Sequence, residues 1–427
     1  MKKKSSPPVS KQKFQVPNFF LHAFFFLVII TSIFSYSRID QDHYYYYCYA
    51  NIFWHGTATQ QYQFCLPLLK ATDALPINRL PPEYPILSLI PFSLPMDAPP
   101  FLHRYTFSFY MAIIATAIYV ILYKHGKRGA SFAYTIYLLL GSLALATQRF
   151  DVIPSLLVLL CLLFAQKKRF ILAYLALSLA IMFKLYALPL VGVLFIAEQK
   201  WYAKTIPLWY RLRGIALCAG ICMGLILFSF VLDTTSNVYT RLLNRPIEIE
   251  STPASAVWVL SQFGKQSCTE LNYGSLNIYQ KQHGICQTGA EALHAPLLQN
   301  TVLFFELIQI TGFGYVLYVL SKNRLTLPQS FLAILLILVS TGKIFSPQFL
   351  LWIIPIIAYT EGVTPVWFIW WSSICLLTTI LFPFLFTLSE SIHNVSFIFF
   401  TAAIRNSLVS AFTIFYLMKK LARLRSG

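Results

Sequence analysis

The sequence predicts an all-α fold, a polytopic helical bundle that spans a membrane, on three observations. Of the 427 residues, 57% are hydrophobic and only 11% are charged, with a mean hydropathy of +0.63. A water-facing globular domain carries roughly 25% charged residues, so this chain cannot cover an aqueous surface of normal size. The apolar residues also run in long blocks. Such blocks mark spanning helices, whereas surface helices show a one-face stripe and barrel strands alternate. The basic residues, finally, cluster between the blocks, as the positive-inside rule expects of cytoplasmic turns. They are Lys2, Lys3, Lys4, Lys11 and Lys13; Lys124, Lys127 and Arg128; Lys167, Lys168 and Arg169; Lys200, Lys204, Arg211 and Arg213; Lys322 and Arg324; and Lys419, Lys420, Arg423 and Arg425. The net charge of +18 is therefore a topology signal. A nucleic-acid partner would need a continuous basic face, and the apolar blocks interrupt one.

Each block becomes a span in turn, within a single transmembrane domain over residues 1–427. Residues 16–36 follow a basic tail and lack a small-residue cleavage site, so they form a retained span and not a signal peptide. Residues 37–100 are then a first outer loop. Residues 101–123 return to the basic turn at Lys124, residues 130–147 cross outward, and residues 152–165 cross back. The run 170–197 contains Lys184. Read as one helix it puts the next basic turn on the wrong side; read as two short helices with Lys184 at their outer apex, the signs agree. Each half covers only ~21 Å at 1.5 Å per residue, less than the ~30 Å hydrocarbon core, so neighbours must shield it. Residues 214–232 lead to a second outer loop, 233–300, and 301–320 return. Residues 327–341 and 347–359 form another short pair around Lys343, and 364–388 and 397–418 complete about twelve spans of ~20 residues or fewer. Both termini fall on the cytoplasmic side of a cell membrane.

The inner turns are short and the two outer loops are long, and loops beyond ~15 residues are usually functional. The chemistry is therefore expected on the outer face. Cys48, Cys65, Cys268 and Cys286 lie in these loops, in a compartment that permits disulfides. Cys268 and Cys286, inside one loop, are a candidate bridge, with free thiols the alternative. No CxxC pair or His-rich tract suggests a metal, and no cofactor is expected.

The first candidate site residues follow the first span. Asp40 and Asp42, with His43 and the tyrosines 44–47, put carboxylates at the mouth of the bundle, where one can take a proton from a hydroxyl; the alternative is an interfacial aromatic belt with a solvated acid. Glu83 and Tyr84 sit among Pro81, Pro82 and Pro85, at the rigid start of a half-helix over 86–95, where Glu83 also serves as an N-terminal charge. Arg149 and Asp151 share one tight turn. Lys184 and Lys343 stand at the two apices, Lys343 just before Gln348. Cations at membrane depth are costly and usually face a cavity or a partner; here they suit a lipid-borne phosphate, with snorkelling to headgroups as the alternative. In the second loop, Arg245 and Glu250 suit a sugar or phosphate, or pair with each other. His283 and His294 in that loop are open as phosphate contacts, and Arg405, inside the last block, reads as a structural or lipid contact.

Taken in order, these elements resemble those of glycosyltransferase family 87, membrane-embedded transferases of the GT-C type. Asp42, Tyr46, Ala50 and Gly56 are similar to its early-loop pattern. Glu83-Tyr84-Pro85 resembles its EYPP element, with Ile86 in place of the second proline. Phe150-Asp151-Val152-Ile153-Pro154 and Lys184-Leu185-Tyr186-Ala187-Leu188-Pro189 resemble two further motifs. So do Ile249-Glu250-Ser251 with Ala254-Ser255, and Phe345-Ser346-Pro347-Gln348-Phe349-Leu350-Leu351-Trp352. The resemblance runs from residue 42 to 352, and its order is more specific than any one motif. It implies inverting transfer of a sugar, mannose before arabinose or glucose, from a polyprenyl-phosphate donor to a hydroxyl acceptor on a glycan or glycolipid. Asp42 would be the base, with Asp40 its competitor, and Lys184, Arg149 and Lys343 would hold the phosphate; no nucleotide sugar takes part. The partners implied are the donor, the acceptor and membrane lipids. A transporter or flippase is the alternative and would show internal repeats, of which the sequence has none; a scaffold that binds lipid-linked glycans without turnover is a third reading.

Overall fold

In the computed structural model the described residues are 18–35, 42–58, 63, 65–67, 69, 79–143, 145–202, 206–233, 238, 245–262, 267–272, 275–282, 285–286, 295–392 and 395–422. The chain begins with α1 (Asn18–Phe34) and α2 (Asp42–His55), then a 3₁₀ turn over Ile86–Ser88 and the short α3 (Leu89–Ser93). There follow α4 (Pro100–His125), α5 (Ala130–Gly141), α6 (Leu145–Gln148), α7 (Val152–Gln166) and α8 (Phe170–Phe183). Next come α9 (Leu190–Tyr202) and α10 (Leu208–Leu232). After the second loop come α12 (Pro296–Ser321), α13 (Leu327–Thr341), α14 (Leu350–Glu361), α15 (Pro365–Thr379), α16 (Phe386–Ile392) and α17 (Ser396–Ala422); α11 (Thr252–Gln262) lies within that loop.

Among the described residues, five helices are long and apolar enough to cross a membrane: Leu102–His125, Trp209–Leu232, Pro296–Ser321, Pro365–Ser389 and Ser396–Lys420. Shorter apolar helices, α1, α5, α7, α8 and α13, fill the space between them. Of the short ones, α5, α7, α8 and α13 are largely buried, whereas α1 turns Phe19, Phe20, Phe26 and Leu27 outward. In α13 every residue from Ser330 to Ile337 is buried, whereas α10 and α12 turn Met223, Leu227, Phe304 and Ile310 outward. Four of these short helices, α5, α7, α8 and α13, are thus shielded by others, as their length requires.

Local chemistry explains the breaks. Helix α13 starts at a Thr326–Gln329 capping box with Pro328 in the first turn and stops at Gly342, each a strong boundary signal. Lys184 is extended (φ −160°, ψ 126°) between α8 and a 3₁₀ turn over Leu185–Ala187, and Pro189 cannot continue a helix through its missing N–H. The expected two-helix reading of 170–197 therefore describes the fold. The expected span 130–147 does not run through: α5 ends at Gly141, where a Cβ would meet Cys375 and Leu350 within 3 Å, and the chain resumes as α6.

The bundle is helical as expected, and the second loop adds a small sheet to it. Strands β1 (Ile247–Glu248), β2 (Ser267–Asn272), β3 (Ser275–Gln282) and β4 (Ile285–Cys286) form a four-stranded antiparallel sheet, with β3 paired to the other three. Cross-strand pairing satisfies the backbone of a polar segment that lies outside any apolar block. Its buried residues Ile247, Ile249, Val257 and Ile278 pack with Ile398, Phe399 and Ala402 of α17 in a core separate from that of the bundle. The two loops meet where Asp233 Oδ2 accepts the backbone N–H groups of Arg79 and Leu80, both at 3.1 Å.

The cysteines also differ from expectation. Cys48 of α2 is bonded to Cys65, a pairing not foreseen, across 17 residues. Cys268 is disulfide-bonded, while the side chain of Cys286, its expected partner, lies outside the described residues. Cys161, Cys218, Cys222 and Cys375 are free.

The two ends of the bundle differ in chemistry. At one, the basic turns gather on a buried acid. Glu361 (1% exposed) lies 2.6 Å from Lys420 Nζ and 3.6 Å from Lys127 Nζ, and accepts the Tyr416 hydroxyl at 2.8 Å. Lys200 Nζ donates to the Leu320 carbonyl at 2.7 Å, tying two further basic turns together. The other end carries the two loops and the apices at Lys184 and Lys343.

Candidate functional site

Asp42 is the first residue of α2, and the helix fixes what lies beneath it. Tyr46, one turn on, is fully buried, stacks on Phe92 of α3 with centroids 4.2 Å apart, and donates its hydroxyl to Asp42 Oδ2 at 3.4 Å. Arg149, at the end of α6, forms an ion pair through Nη1 with the same carboxylate oxygen. Both side chains keep a fraction of their surface open, 20% for Asp42 and 16% for Arg149. The pair is partly desolvated and reachable.

Two residues further along the same turn, Asp151 is completely buried. Its Oδ1 accepts Lys184 Nζ at 2.6 Å and Trp352 Nε1 at 2.6 Å; Oδ2 has no hydrogen-bond partner among the described residues. Three elements therefore meet at one carboxylate: the α6–α7 turn, the α8–α9 apex and the first turn of α14. Aromatic rings wall the ammonium. Lys184 Nζ lies 5.2 Å from the Phe150 ring, 5.4 Å from Trp352 and 6.0 Å from Tyr84, within range of cation–π attraction. Trp352 is itself clamped between Tyr186 and Phe349, at 4.0 and 3.8 Å. Burial first, and then the Glu83 charge, push the Tyr84 phenol well above its usual range, so Tyr84 is a donor and not an anion.

No family model, curated protein or solved structure matches this chain. The chemistry is accordingly read from the arrangement itself.

A second group of candidates sits under the sheet. Arg245 Nη2 lies 3.9 Å from Glu248 Oε1 and 3.3 Å from the Ser275 hydroxyl. Its charge is felt at Lys184, Lys343 and Tyr84, so it shares their neighbourhood. Glu248 organises the second apex. Its carboxylate accepts Phe345 N–H at 3.0 Å and the Ser346 hydroxyl at 2.6 Å, while its own N–H donates to the Lys343 carbonyl at 3.0 Å. Lys343 is half-buried and feels Glu306 of α12 as well as Arg245. Gln348 lies on the 3₁₀ turn Pro347–Phe349, half-buried.

Glu250 is not part of this group, and the expected Arg245–Glu250 pairing is replaced. Glu250 Oε2 accepts Arg405 Nη1 at 3.2 Å, and its carbonyl accepts Arg405 Nη2 and, at 2.9 Å, Asn406 Nδ2. Arg405 is fully buried, with its guanidinium 4.0 Å from the centre of the Phe345 ring. This is a brace between the second loop and α17, which gives Arg405 its structural role. Asp40, His283 and His294 lie outside the described residues.

Of the candidates named from sequence, Asp42, Tyr84, Arg149, Asp151 and Lys184 converge in one place, with Arg245 linking them to Lys343. Glu248 and Trp352 were not singled out. For Glu248 a signal existed: Ile-Glu-Ile-Glu alternates, and in an extended segment Glu248 and Glu250 share one face. Beside this site runs an apolar groove of about 540 Å³. Phe53, Trp54, Ile90, Leu94, Leu225 and Phe228 line it, between α2, α3 and α10. Ile86 lies on both this groove and a small adjoining cavity lined by Tyr84 and Ser229. The small cavity thus reaches Tyr84, whose ring lies 6.0 Å from the Lys184 ammonium.

Proposed function

We propose that this chain is a membrane glycosyltransferase of the GT-C type, similar to glycosyltransferase family 87, that moves a sugar from a polyprenyl-phosphate to a hydroxyl acceptor. The observation that carries the reading is the convergence of Asp42, Arg149, Asp151 and Lys184, with the Tyr84 ring between the Lys184 ammonium and a small cavity that adjoins the apolar groove. An apolar groove suits an isoprenoid chain, and the nearby cations suit the phosphate.

In this mechanism the donor lies with its lipid along α3 and α10 and its phosphate between Arg149 and Lys184. Arg149 exchanges the Asp42 carboxylate for the phosphate, which frees Asp42 to accept a proton. The acceptor oxygen attacks the anomeric carbon from the face opposite the phosphate as Asp42 takes its proton. The carbon–oxygen bond to phosphate breaks, and polyprenyl phosphate leaves with the bonding pair, its charge met by Lys184 and Arg149. Asp151 and Trp352 hold Lys184 in place. Inversion follows from the single displacement. Mannose is the expected sugar, and Asp40 is the competing base.

The loop end faces the outside and both termini face the cytoplasm in this reading, with about twelve crossings in all. Disulfides persist in oxidising compartments, and Cys48 and Cys268 both lie in the loops, whereas the free thiols lie on helices. The basic turns gather at the opposite end, as cytoplasmic turns do.

The test is release of free polyprenyl phosphate by purified protein given polyprenyl-phosphate mannose and a mannose-bearing glycolipid. Asp42→Asn should abolish release while the protein remains folded. Undiminished release would remove Asp42 from the chemistry, and no release by the unaltered protein with mannose, arabinose or glucose donors would reject the reading.

A further inference from the structure

The basic turns are not alike. Lys127 and Lys420 are answered by Glu361. Where the α7–α8 turn, the end of α9 and the start of α10 meet, Lys167, Lys168, Arg169, Arg211 and Arg213 form no ion pair among the described residues. The one acid on residues 166–174, 198–202 and 206–214 is Glu198, and it is buried. These pieces pack closely. A Cβ on Gly214 of α10 would run into the Tyr174 ring of α8 and lie 3.4 Å from Glu198 Oε2 of α9, and the Phe170 and Tyr202 rings are 5.6 Å apart. Lys204 lies outside the described residues.

Lys168 follows the end of α7 in the left-handed region (φ +63°). Its N–H donates to the Ala165 carbonyl, and the Arg169 N–H to that of Phe164. The end of α12 closes with the same pair of hydrogen bonds around Asn323 (φ +59°). Glycine or asparagine is usual at such a position because a Cβ disfavours it, so the lysine works against its own turn. It places its ammonium 4.1 Å from the centre of the exposed Trp201 ring. Arg213 lays its guanidinium on Tyr210, 3.5 Å from the ring centre, which leaves the donors of the planar fork for a phosphate. Trp201 and Trp209, both exposed, are the rings expected at a membrane–water interface, so this rim faces lipid headgroups.

An apolar wall rises from the same place. Leu217, Gly220, Gly224 and Leu227 follow Arg213 at steps of three and four residues and share its face of α10. All four are exposed, and a Cβ on Gly220 or Gly224 would meet nothing within 4 Å. The face is a shallow furrow of ~21 Å at 1.5 Å per residue, longer than the ~15 Å of one leaflet's hydrocarbon. We propose that this rim holds an anionic phospholipid, with its phosphate on Lys168, Arg211 and Arg213 and an acyl chain in the furrow of α10. Charge selects the headgroup, because the cations stand together and the acid beside them is buried. Neither the transfer reaction nor the side of the membrane that this end faces enters the argument.

Native mass spectrometry tests this on the full chain, released into detergent from nanodiscs of equal dioleoyl phosphatidylglycerol and dioleoyl phosphatidylcholine. The unaltered protein should retain the anionic lipid over the zwitterionic one by about tenfold or more. A cation at the headgroup is worth roughly fivefold in binding. Lys168→Gly should lower the ratio by about that factor while the midpoint of thermal unfolding holds or rises, since glycine suits the left-handed turn. Arg211→Gln with Arg213→Gln should bring the ratio close to unity. Lys124→Gln with Arg128→Gln, which removes the same charge at the α4–α5 turn, should leave it within about twofold. Equal retention of the two lipids, an equal loss in the α4–α5 variant, or an unchanged ratio in Lys168→Gly overturns the proposal. So does a dimer that forms without retained phosphatidylglycerol, which would give the furrow to a second copy of the chain. Should the double arginine variant not fold, Lys168→Gly decides alone.

Discussion

Asp42 and Arg149 form an ion pair, and in the proposed transfer that pairing sets the order of events. A carboxylate held by a guanidinium is a weak base, so under that proposal a phosphate must draw Arg149 away before Asp42 acts. Replacing Arg149 with Met should therefore reduce transfer by 10²-fold or more, about what a positioned acid–base group contributes, with the larger effect on the chemical step than on donor affinity. Rapid-quench measurement of the two separates them. The Arg405–Glu250 pair makes a different prediction, because it is structural. Breaking a fully buried pair from one side costs about 3–5 kcal/mol, while replacing both partners by apolar groups costs much less. Arg405→Met and Glu250→Met should each lower the midpoint of thermal unfolding, and the double variant should recover most of the loss. The charged residues of the site were legible in the sequence because a cation or carboxylate amid apolar residues is costly and stands out. Their partners were not. Nothing local to Arg149 selects Asp42 over Asp40, and nothing near Glu250 shows that its partner is on the last helix.

The elements divide by how much of their boundary is written locally. Residues 327–341 were read as a span and form a helix with the same bounds, because Thr326, Pro328 and Gly342 mark both ends. The break at Lys184 was legible from the alternation of charge between turns, a constraint that reaches beyond any single helix. The end of α5 at Gly141 was not, since contacts with Cys375 and Leu350 decide it. Nor was the sheet, whose strands carry no apolar run and resemble an irregular polar loop. Two predictions belong to this scale. Gly362 has φ +55°, and a Cβ there would lie 2.4 Å from the Arg128 carbonyl oxygen, so Gly362→Ala should cost about 1–3 kcal/mol through backbone strain and separate the α4–α5 and α14–α15 turns. A fall in thermal stability with increased labelling of a cysteine placed in either turn would register it. Removing the Cys48–Cys65 bond by a double Ser substitution opens a loop of 17 residues and should destabilise the first loop by about 3 kcal/mol. Faster proteolysis of residues 56–80 is the measurable result.

Across the whole molecule, the basic turns and the disulfide-bonded cysteines lie at opposite ends. Lys127 and Lys420 share Glu361 at one end, and the disulfide-bonded Cys48 and Cys268 lie with the loops. A fluorescent reporter fused to the C-terminus should accordingly light up in the cytoplasm, and an impermeant thiol reagent should label Cys48 and Cys65 in intact cells only after reduction; the reverse pattern would invert the topology.

The three hydrogen bonds through Glu248 have one more consequence. They rivet β1 to the segment that holds Lys343, so the sheet cannot lift as a flap without dragging that cation along. Under the proposed function, entry would then be from the flank, in the plane of the bilayer, a route that suits a molecule on a hydrocarbon leash better than a free sugar.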